Sequence, residues 1–107
     1  MHKNLDMVGN YAVIFTSKLN SESAGYDEMA TKMEQLARKQ KGFIGIESTR
    51  SEIGITVSYW ENPEAIQNWK QQLEHLKAQK KGQSKWYNWY KVYVCKIDRA
   101  YEFISVQ

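Results

Sequence analysis

Short apolar stretches at four places along the chain predict β-strands. They are residues 10–19 (NYAVIFTSKL), 43–50, 53–60 and about 90–103. In the first and the last stretch the side chains of both faces are largely apolar, which is typical of a strand that is covered on both sides. Only Ser51 and Glu52 separate the second strand from the third, so we expect a tight antiparallel hairpin there.

Two stretches between these strands repeat their apolar residues with the period of an α-helix. The first runs from an N-cap at Ser23 to about Lys39, and its apolar face carries Tyr26, Met29, Ala30, Met33 and Ala37. The second begins at Asn62-Pro63-Glu64, where a capping residue precedes a proline in the first helical position. Beyond Gln72 the helical pattern continues through Leu73, Leu76, Gln79, Gln83, Trp86, Tyr87 and Tyr90, with a break near Gly82.

The resulting order, β-α-β-β-α-β, predicts an α+β protein of the ferredoxin-like type with a four-stranded antiparallel sheet. We expect residues 1–9 to form a flexible N-terminal tail and residues 10–107 to form a single domain. The two helices cover one face of the sheet. Since the other face also carries apolar side chains, we expect it to be buried against a second copy, sheet to sheet, in a homodimer.

Composition and charge narrow the class of protein. The chain has 107 residues, of which 42% are hydrophobic and 25% charged, as in ordinary globular domains. The net charge of +3 is spread along the sequence. Lys77, Lys80, Lys81 and Lys85 lie close to Trp86 and Trp89, and this pattern favours a solvated helix face over a track for nucleic-acid phosphates.

A single cysteine, Cys95, excludes an internal disulfide, and its apolar surroundings in the sequence indicate a small buried hydrophobe. No apolar stretch approaches the length of a membrane span, and the first ten residues do not resemble a signal peptide. We therefore expect a cytoplasmic protein that binds neither membranes nor nucleic acid.

The stretch Tyr59–Tyr90 carries the candidate chemistry. It contains all four tryptophans of the chain and its one histidine outside the N-terminal residues, His75. Helical aromatic residues are more often core than ligand site, but this number exceeds what a small core requires, so the stretch predicts an apolar pocket for a flat ligand. His75, Gln79 and Trp86 would share one face of a continuous helix, while Trp69 would point elsewhere unless the helix bends.

His75 has two interpretations. Histidine is suited to remove a proton near neutral pH, so in a pocket it would act as a base. Alternatively, it is a partly exposed helix residue paired with Glu64 or Glu74. The spacing of a catalytic triad or a metal site is absent, so we expect no metal.

Three segments of the chain together resemble one known family. They are GFIGIES at residues 42–48, ITVSYWENPEAIQNW at residues 55–69, and EHLKAQKKGQSKWY at residues 74–87 followed by VYVCKIDRAYEF. This arrangement is similar to the antibiotic biosynthesis monooxygenase family of dimeric α+β barrel proteins, over nearly all of the chain from Tyr11 to Phe103. The resemblance implies a dimer in which each subunit has a pocket between helices and sheet.

The resemblance also implies a function. In cofactor-free members of the family the deprotonated substrate itself reduces dioxygen, so we expect a monooxygenase without cofactor that acts on a small aromatic substrate, quinol or polyketide-like. His75 would be the base, and the substrate would contact Trp60, Trp69, Gln79, Trp86 and Tyr87. An alternative is a small-molecule binding or sensing module without catalysis.

A haem-degrading monooxygenase is a further alternative that the resemblance raises. That branch has an asparagine on the first strand, a tryptophan on the second helix and a histidine about ten residues later. Trp69 matches the tryptophan, but Phe15 or Thr16 stands in place of the asparagine and Gln79 in place of the histidine. Haem is therefore disfavoured unless His75 turns inward as the iron ligand.

Overall fold

The computed structural model describes residues 2–4, 6–79 and 86–106. These residues form two helices, α1 and α2, and six strands, β1 to β6. In chain order the elements are β1 (His2–Asn4), β2 (Tyr11–Leu19), α1 (Tyr26–Arg38), β3 (Phe43–Arg50), β4 (Ile53–Trp60), α2 (Pro63–Gln79), β5 (Tyr87–Lys96) and β6 (Tyr101–Phe103).

The main sheet has the strand order β3-β4-β2-β5, and all its neighbours are antiparallel. The two strands that precede the helices, β2 and β4, lie side by side in the centre of the sheet, and the strands that follow the helices, β3 and β5, form its edges. This is the ferredoxin-like arrangement predicted from the sequence. The hairpin between β3 and β4 is also confirmed, and the Ser51 N–H closes it by donating to the Ile53 carbonyl at 3.2 Å.

The start of α2 follows its sequence signals, whereas the start of α1 does not. The Asn62 Oδ1 atom accepts a hydrogen bond from the Ala65 N–H at 2.9 Å, which caps α2 as predicted. The N-cap of α1 is Gly25, in the left-handed conformation, and not Ser23. The Ser23 carbonyl oxygen accepts a hydrogen bond from the Tyr26 N–H at 3.0 Å. The Ser23 hydroxyl makes no capping hydrogen bond to α1.

The region after α2 differs from the prediction of a continued helix. Tyr87 begins β5 and pairs with Leu19 at the end of β2, and the Asn20 N–H donates to the Trp86 carbonyl at 2.7 Å. The aromatic spacing that suggested a helix therefore belongs to an extended segment. Because helix and strand periods fit the same short set of residues, the register with β2 decided between them.

The two ends of the chain also differ from the prediction. The predicted last strand is divided in two, because the ladder of β5 ends at Lys96, opposite Tyr11, where β2 itself begins. Residues 2–4, expected to lie in a tail, pair antiparallel with residues 101–103 in a second, two-stranded sheet. The sequence His2-Lys3-Asn4 has no alternation that could have predicted this pairing.

The core lies between the helices and the main sheet. It consists of buried Val13, Ala37, Trp60 and Ala65, with Tyr11, Phe43, Ile66 and Trp69 packed around them. The helices pack mainly on β3 and β4. Cys95 is opposite Ala12 on β2, on the face of the sheet that points away from the helices. It is therefore exposed, and the prediction of a buried cysteine is wrong for the single chain.

Candidate functional site

A cavity of about 190 Å³ lies between the two helices and the sheet. Its lining is mostly apolar, with a few hydroxyl groups and one carboxylate. The residues that line it are Phe15, Tyr26, Ala30, Thr31, Met33, Glu34, Ile46, Ser48, Thr56, Trp69 and Leu73. An apolar cleft with few polar groups is the usual form of a small-molecule site.

The floor of the cavity is one row of residues across the sheet. Phe15 on β2 is opposite Thr56 on β4, and Thr56 is opposite Ser48 on β3. Since side chains alternate along each strand, this register points all three toward the helices. The two hydroxyl groups therefore stand beside an aromatic ring at the bottom of the cavity.

Trp69 forms the wall on the α2 side. Its indole N–H donates to the Met33 carbonyl on α1 at 3.3 Å, and its ring lies 5.1 Å from the ring of Trp60. Leu73, one turn further along α2, continues the wall. Trp69 thus connects α2 both to α1 and to the core, which fixes the orientation of its ring.

One end of the cavity is next to a positively charged side chain. Arg50, Gly54 and Ser17 occupy neighbouring positions on β3, β4 and β2, one row beyond the floor. The guanidinium of Arg50 passes over Gly54 and donates to the Ser17 hydroxyl. It also donates to the Tyr26 hydroxyl at 3.3 Å, with its central carbon 5.2 Å from the centre of the Tyr26 ring.

Tyr87 packs behind Tyr26, with the two rings edge to face at 5.6 Å. The Tyr87 hydroxyl is buried and makes no hydrogen bond of ordinary geometry with the described residues. Burial raises the pKa of Tyr87 well above its usual value, and the neighbouring Tyr26 hydroxyl raises it further, while Arg50 acts in the opposite direction. Tyr87 therefore stays protonated at any physiological pH.

The other end of the cavity is acidic. Glu34 lies two turns after Tyr26 on α1, so the two side chains are separated by about 12 Å along the helix axis. Its carboxylate accepts a hydrogen bond from Arg38 at 2.9 Å. Both side chains of this pair are about half exposed, so the pair stands at the mouth of the cavity.

Of the site residues predicted from the sequence, the structure places only Trp69 on the cavity wall. Trp60 is fully buried in the core, where its N–H donates to the Ser58 hydroxyl at 2.8 Å. Tyr87 lies behind Tyr26. Trp86 packs against the ring of Tyr26 from outside the cavity, and the Trp86 indole N–H donates to the Ala24 carbonyl at 3.0 Å.

The structure does not place His75 in the cavity either. His75 is exposed on α2 and is not among the lining residues. It follows Trp69 by six residues, which turns it about 120° away from the cavity side of the helix. The side chain of Gln79 lies outside the described part of the structure.

Several lining residues were missed by the sequence analysis. Phe15 and Tyr26 were assigned to a covered strand face and a helix face, and the register and helix packing then turned both into cavity walls. Glu34 gave no signal beyond that of a charged surface residue. The sequence did contain one signal for Arg50: the residue opposite it in the hairpin is Gly54, which leaves space for a long side chain to cross β4.

The cavity does not fit a haem. Its volume of about 190 Å³ is below the range of roughly 300–1,000 Å³ typical of sites for drug-sized ligands. No histidine is among its lining residues, and His75 is exposed. Within residues 6–79 and 86–106, no cluster of three or more His, Cys, Asp or Glu side chains is arranged to hold a metal ion.

The fold and the cavity define a ferredoxin-like α+β domain with a small apolar site between helices and sheet. The sequence model of the antibiotic biosynthesis monooxygenase family matches residues 11–81, and the chain therefore belongs to this family. In the part of the chain that the structure describes, neither helix has the length and hydrophobicity required to span a membrane.

Known proteins resemble this chain in sequence or in fold. The uncharacterized protein YqjZ of Bacillus subtilis (strain 168) is 48% identical over 91 residues, which cover 83% of this chain and 80% of YqjZ. The crystal structure of SnoaB, a cofactor-independent oxygenase from Streptomyces nogalater, is similar with a TM-score of 0.69 at 10% identity, over 87% of this chain and 97% of SnoaB. A conserved protein from Methanosarcina mazei Go1 gives a TM-score of 0.71 at 10% identity, over 86% and 95% of the two chains.

Proposed function

We propose that this protein is a cofactor-independent monooxygenase whose substrate is a phenol or hydroquinone with a single aromatic ring. The observation that carries the proposal is the cavity itself, in which aromatic walls from Phe15 and Trp69 enclose a small space with hydroxyl groups on its floor. Membership of the family and the similarity to SnoaB, which is described as a cofactor-independent oxygenase, support the reaction class.

The size of the cavity supports a single ring. An apolar cavity of about 150 Å³ is large enough to bind benzene, and this cavity has about 190 Å³. A substituted benzene fits this space, whereas a fused polyketide would extend beyond the mouth. We therefore favour the quinol over the polyketide among the substrates that the sequence suggested.

The chemistry needs no external electron donor. A hydroquinone reacts with dioxygen to give a hydroxyquinone and water: a ring C–H bond becomes C–OH, and both phenol groups become carbonyls. The O–O bond breaks, one oxygen atom enters the ring, and the other leaves as water with the two phenolic hydrogens. The substrate supplies all four electrons that reduce dioxygen. The protein has to remove a phenolic proton, hold the ring and exclude water from the reacting carbon.

Two side chains are candidates for the proton acceptor. Glu34 lines the cavity, and its carboxylate can accept a proton directly at the mouth. His75, which the sequence suggested, is exposed on α2 and would need α2 to turn before it could reach a ligand. We therefore assign proton removal to Glu34 and retain His75 as the competing assignment.

A binding or sensing module is the second candidate function. His75 is exposed and does not line the cavity, which favours this second function. A pocket with aromatic walls but without a histidine base would still bind an aromatic ligand. The two functions share the cavity and differ only in turnover.

We also propose that two copies associate through the sheet face that the helices leave uncovered. On this face Ile53 and Ile55 of β4 are 40% and 42% exposed, and Trp89 and Tyr93 of β5 are 38% and 54% exposed. Exposed apolar side chains of this number are unfavourable in water, and a second copy of the same face would cover them. Lys18 and Lys91 lie among them on the same face.

Oxygen consumption tests the proposed reaction. Purified protein is mixed with a panel of hydroquinones in an oxygen electrode, in the presence of a metal chelator. We expect uptake of one dioxygen molecule per hydroxyquinone formed, and incorporation of one labelled atom into the product when the dioxygen carries the heavy oxygen isotope. Saturable binding of the same compounds without oxygen uptake would reject the monooxygenase and leave the binding module.

A further inference from the structure

We propose that Arg50, acting through the hydroxyl of Tyr26, makes the sheet end of the cavity a subsite for an oxyanion, so that the site binds its phenolic ligand as the phenolate. The inference rests on the proposed phenol or hydroquinone ligand but does not depend on turnover. Arg50 is a positioning residue in this arrangement, and Tyr26 is the residue that touches the ligand.

Arg50 is an exposed residue at the end of the edge strand β3, and its guanidinium lies across β4 and reaches β2. A methyl group on Gly54 would overlap the guanidinium, so only glycine leaves room for it at this position. Beyond Gly54 the guanidinium donates to the hydroxyl of Ser17, which is fully buried, and to its carbonyl oxygen at 3.4 Å. Fixing a long, flexible side chain in this way costs conformational entropy, which a purely solvated arginine would not need to lose.

The charge that is held there has no acidic partner. Within the described residues no carboxylate forms an ion pair with Arg50, whereas Arg38 and Lys32 on α1 each have a glutamate one turn away. Arg50 donates instead to neutral oxygens, of Ser17 and Tyr26. An arginine that is positioned by neutral groups is still able to stabilise an anion that arrives later.

Tyr26 carries this effect to the cavity. Its ring is 9% exposed and lines the cavity, and its oxygen accepts a hydrogen bond from Arg50 at 3.3 Å. A phenol oxygen that accepts such a bond still has its own proton to donate. The Tyr87 hydroxyl lies close enough to the Tyr26 hydroxyl to affect its own pKa, so an oxygen atom of the ligand would compete with Tyr87 for the Tyr26 proton.

The charged and titratable groups around the cavity make its two ends electrostatically different. Tyr87 and Tyr90 from β5 pack around Phe15 beside Tyr26, and the raised pKa of Tyr87 keeps its hydroxyl uncharged. Glu34 is the one charged residue among those that line the cavity, and it lies two helical turns from Tyr26 and is paired with Arg38. A phenol that ionises in solution is therefore held with its anionic oxygen at the Tyr26 end, away from Glu34. A hydroquinone bound in this way presents its second, neutral hydroxyl toward the mouth, and this is the proton that Glu34 would accept.

Spectrophotometric titration with para-nitrophenol tests this arrangement, because its phenol and phenolate forms absorb at different wavelengths. We expect the wild-type protein to bind the phenolate more tightly than the neutral phenol and so to lower the apparent pKa of the bound ligand. Tyr26→Phe should weaken phenolate binding about tenfold or more, the usual effect of losing a hydrogen bond to a charged group. Arg50→Met should weaken phenolate binding too, because the Tyr26 hydroxyl loses the positive charge beside it. The uncharged analogue para-nitroanisole should bind both proteins equally.

Three further variants separate the charge from a structural role. Gly54→Ala displaces the guanidinium without removing its charge, and Tyr26→Phe removes only the hydroxyl; both should abolish the preference for phenolate. Arg99→Met makes the same change of charge next to Tyr101, away from the cavity, and should keep the preference. Far-ultraviolet circular dichroism and binding of para-nitroanisole confirm that each variant is folded.

Each outcome is decisive. Equal affinity of wild type and Arg50→Met for the phenolate, or preference of the wild type for the neutral phenol, overturns the oxyanion subsite, as does the absence of binding of either form. Arg50-dependent phenolate binding by a protein that consumes no oxygen with hydroquinones supports the subsite and rejects the monooxygenase. Oxygen uptake that is insensitive to Arg50→Met and Tyr26→Phe supports the monooxygenase and rejects the oxyanion subsite.

Discussion

The rings of Trp60 and Trp69 lie 5.1 Å apart and are tilted by 30°. Trp60 is fully buried and belongs to the core, while Trp69 covers it and turns its other side to the cavity. Two tryptophans that look equivalent in the sequence thus have different roles, one in stability and one in the site.

Substitution by phenylalanine should separate these roles. We expect Trp60→Phe to lower the free energy of unfolding by about 2–4 kcal/mol, because it leaves a void and removes the donor to Ser58. Trp69→Phe should cost about 1 kcal/mol, since it loses one partly exposed hydrogen bond, but it should weaken binding of a one-ring ligand. Urea unfolding and ligand titration measure the two effects, and equal effects of the two variants on binding would contradict the distinction.

Glu34 and His75 can be compared as proton acceptors. We expect Glu34→Gln to reduce oxygen uptake with hydroquinone at least about tenfold, since general base catalysis contributes roughly 10²–10⁴, whereas His75→Gln should leave it unchanged. Steady-state oxygen uptake with both variants gives the answer. Loss of turnover in His75→Gln alone would restore the histidine as the base and would require α2 to turn toward the cavity.

A charge on the uncovered sheet face should separate the two copies. Ile55→Lys places an ammonium group in the centre of the proposed interface, where it would be buried without a partner. We expect this variant to sediment as a monomer at concentrations at which the wild-type protein is a dimer. Val8→Lys, at an exposed position outside the main sheet, is the matched control. A wild-type protein that sediments as a monomer would reject the sheet-to-sheet dimer.

Gly42 lies so close to Ala65 on α2 that adding a single methyl group at this position should lower the stability of the protein. Its φ angle is +93°, and a Cβ atom there would lie 2.8 Å from the Cβ of Ala65 on α2. Gly9 has the same φ angle with open space around it. Gly42→Ala should therefore destabilise the protein more than Gly9→Ala, with about 1–2 kcal/mol from backbone strain in both. Equal loss in urea unfolding would show that α2 adjusts freely.

The raised pKa of Tyr87 predicts how stability depends on alkaline pH. Below about pH 10 the phenol is neutral in both the folded and the unfolded state, so its proton has no effect on stability. As the pH rises above the unfolded value, the unfolded chain loses this proton and the folded chain keeps it. The free energy of unfolding therefore falls by at most about 1.4 kcal/mol per pH unit.

Two variants isolate this contribution. Tyr87→Phe should reduce the alkaline loss of stability, and Tyr101→Phe, at a position on β6 that is 58% exposed, should not. Tyr59 also has a raised pKa, through burial and then Glu47, so part of the dependence should remain in both. Denaturant unfolding at several alkaline pH values measures it, and identical slopes for wild type and Tyr87→Phe would contradict the assignment.

Local signals in the sequence predicted most of the fold. The hairpin of β3 and β4 and the start of α2 at Pro63 were correct, because turn length and capping chemistry act over a few residues. The helical pattern was correct as far as Gln79 and wrong at Tyr87 and Tyr90, because pairing with β2 made this segment a strand. The Ser23 cap and the buried Cys95 were wrong, because a left-handed glycine begins α1 and Cys95 lies on the sheet face away from the helices.

The candidate site was less predictable than the fold. Trp69 was found because aromatic residues are conspicuous, and Phe15, Tyr26 and Arg50 were missed because each has an ordinary place in its own element. The order of strands in the sheet and the register between them bring these residues together from four separate elements.

The sequence by itself determined the order of the two helices and of the four strands in the main sheet, since hydrophobic period, capping residues and turn length act on the backbone within a few positions. The tertiary structure alone decided which aromatic side chains became core and which became cavity wall. It also placed Arg50 over Gly54, beside Ser17 and Tyr26. Such contacts depend on distances between elements, and a local pattern does not contain them.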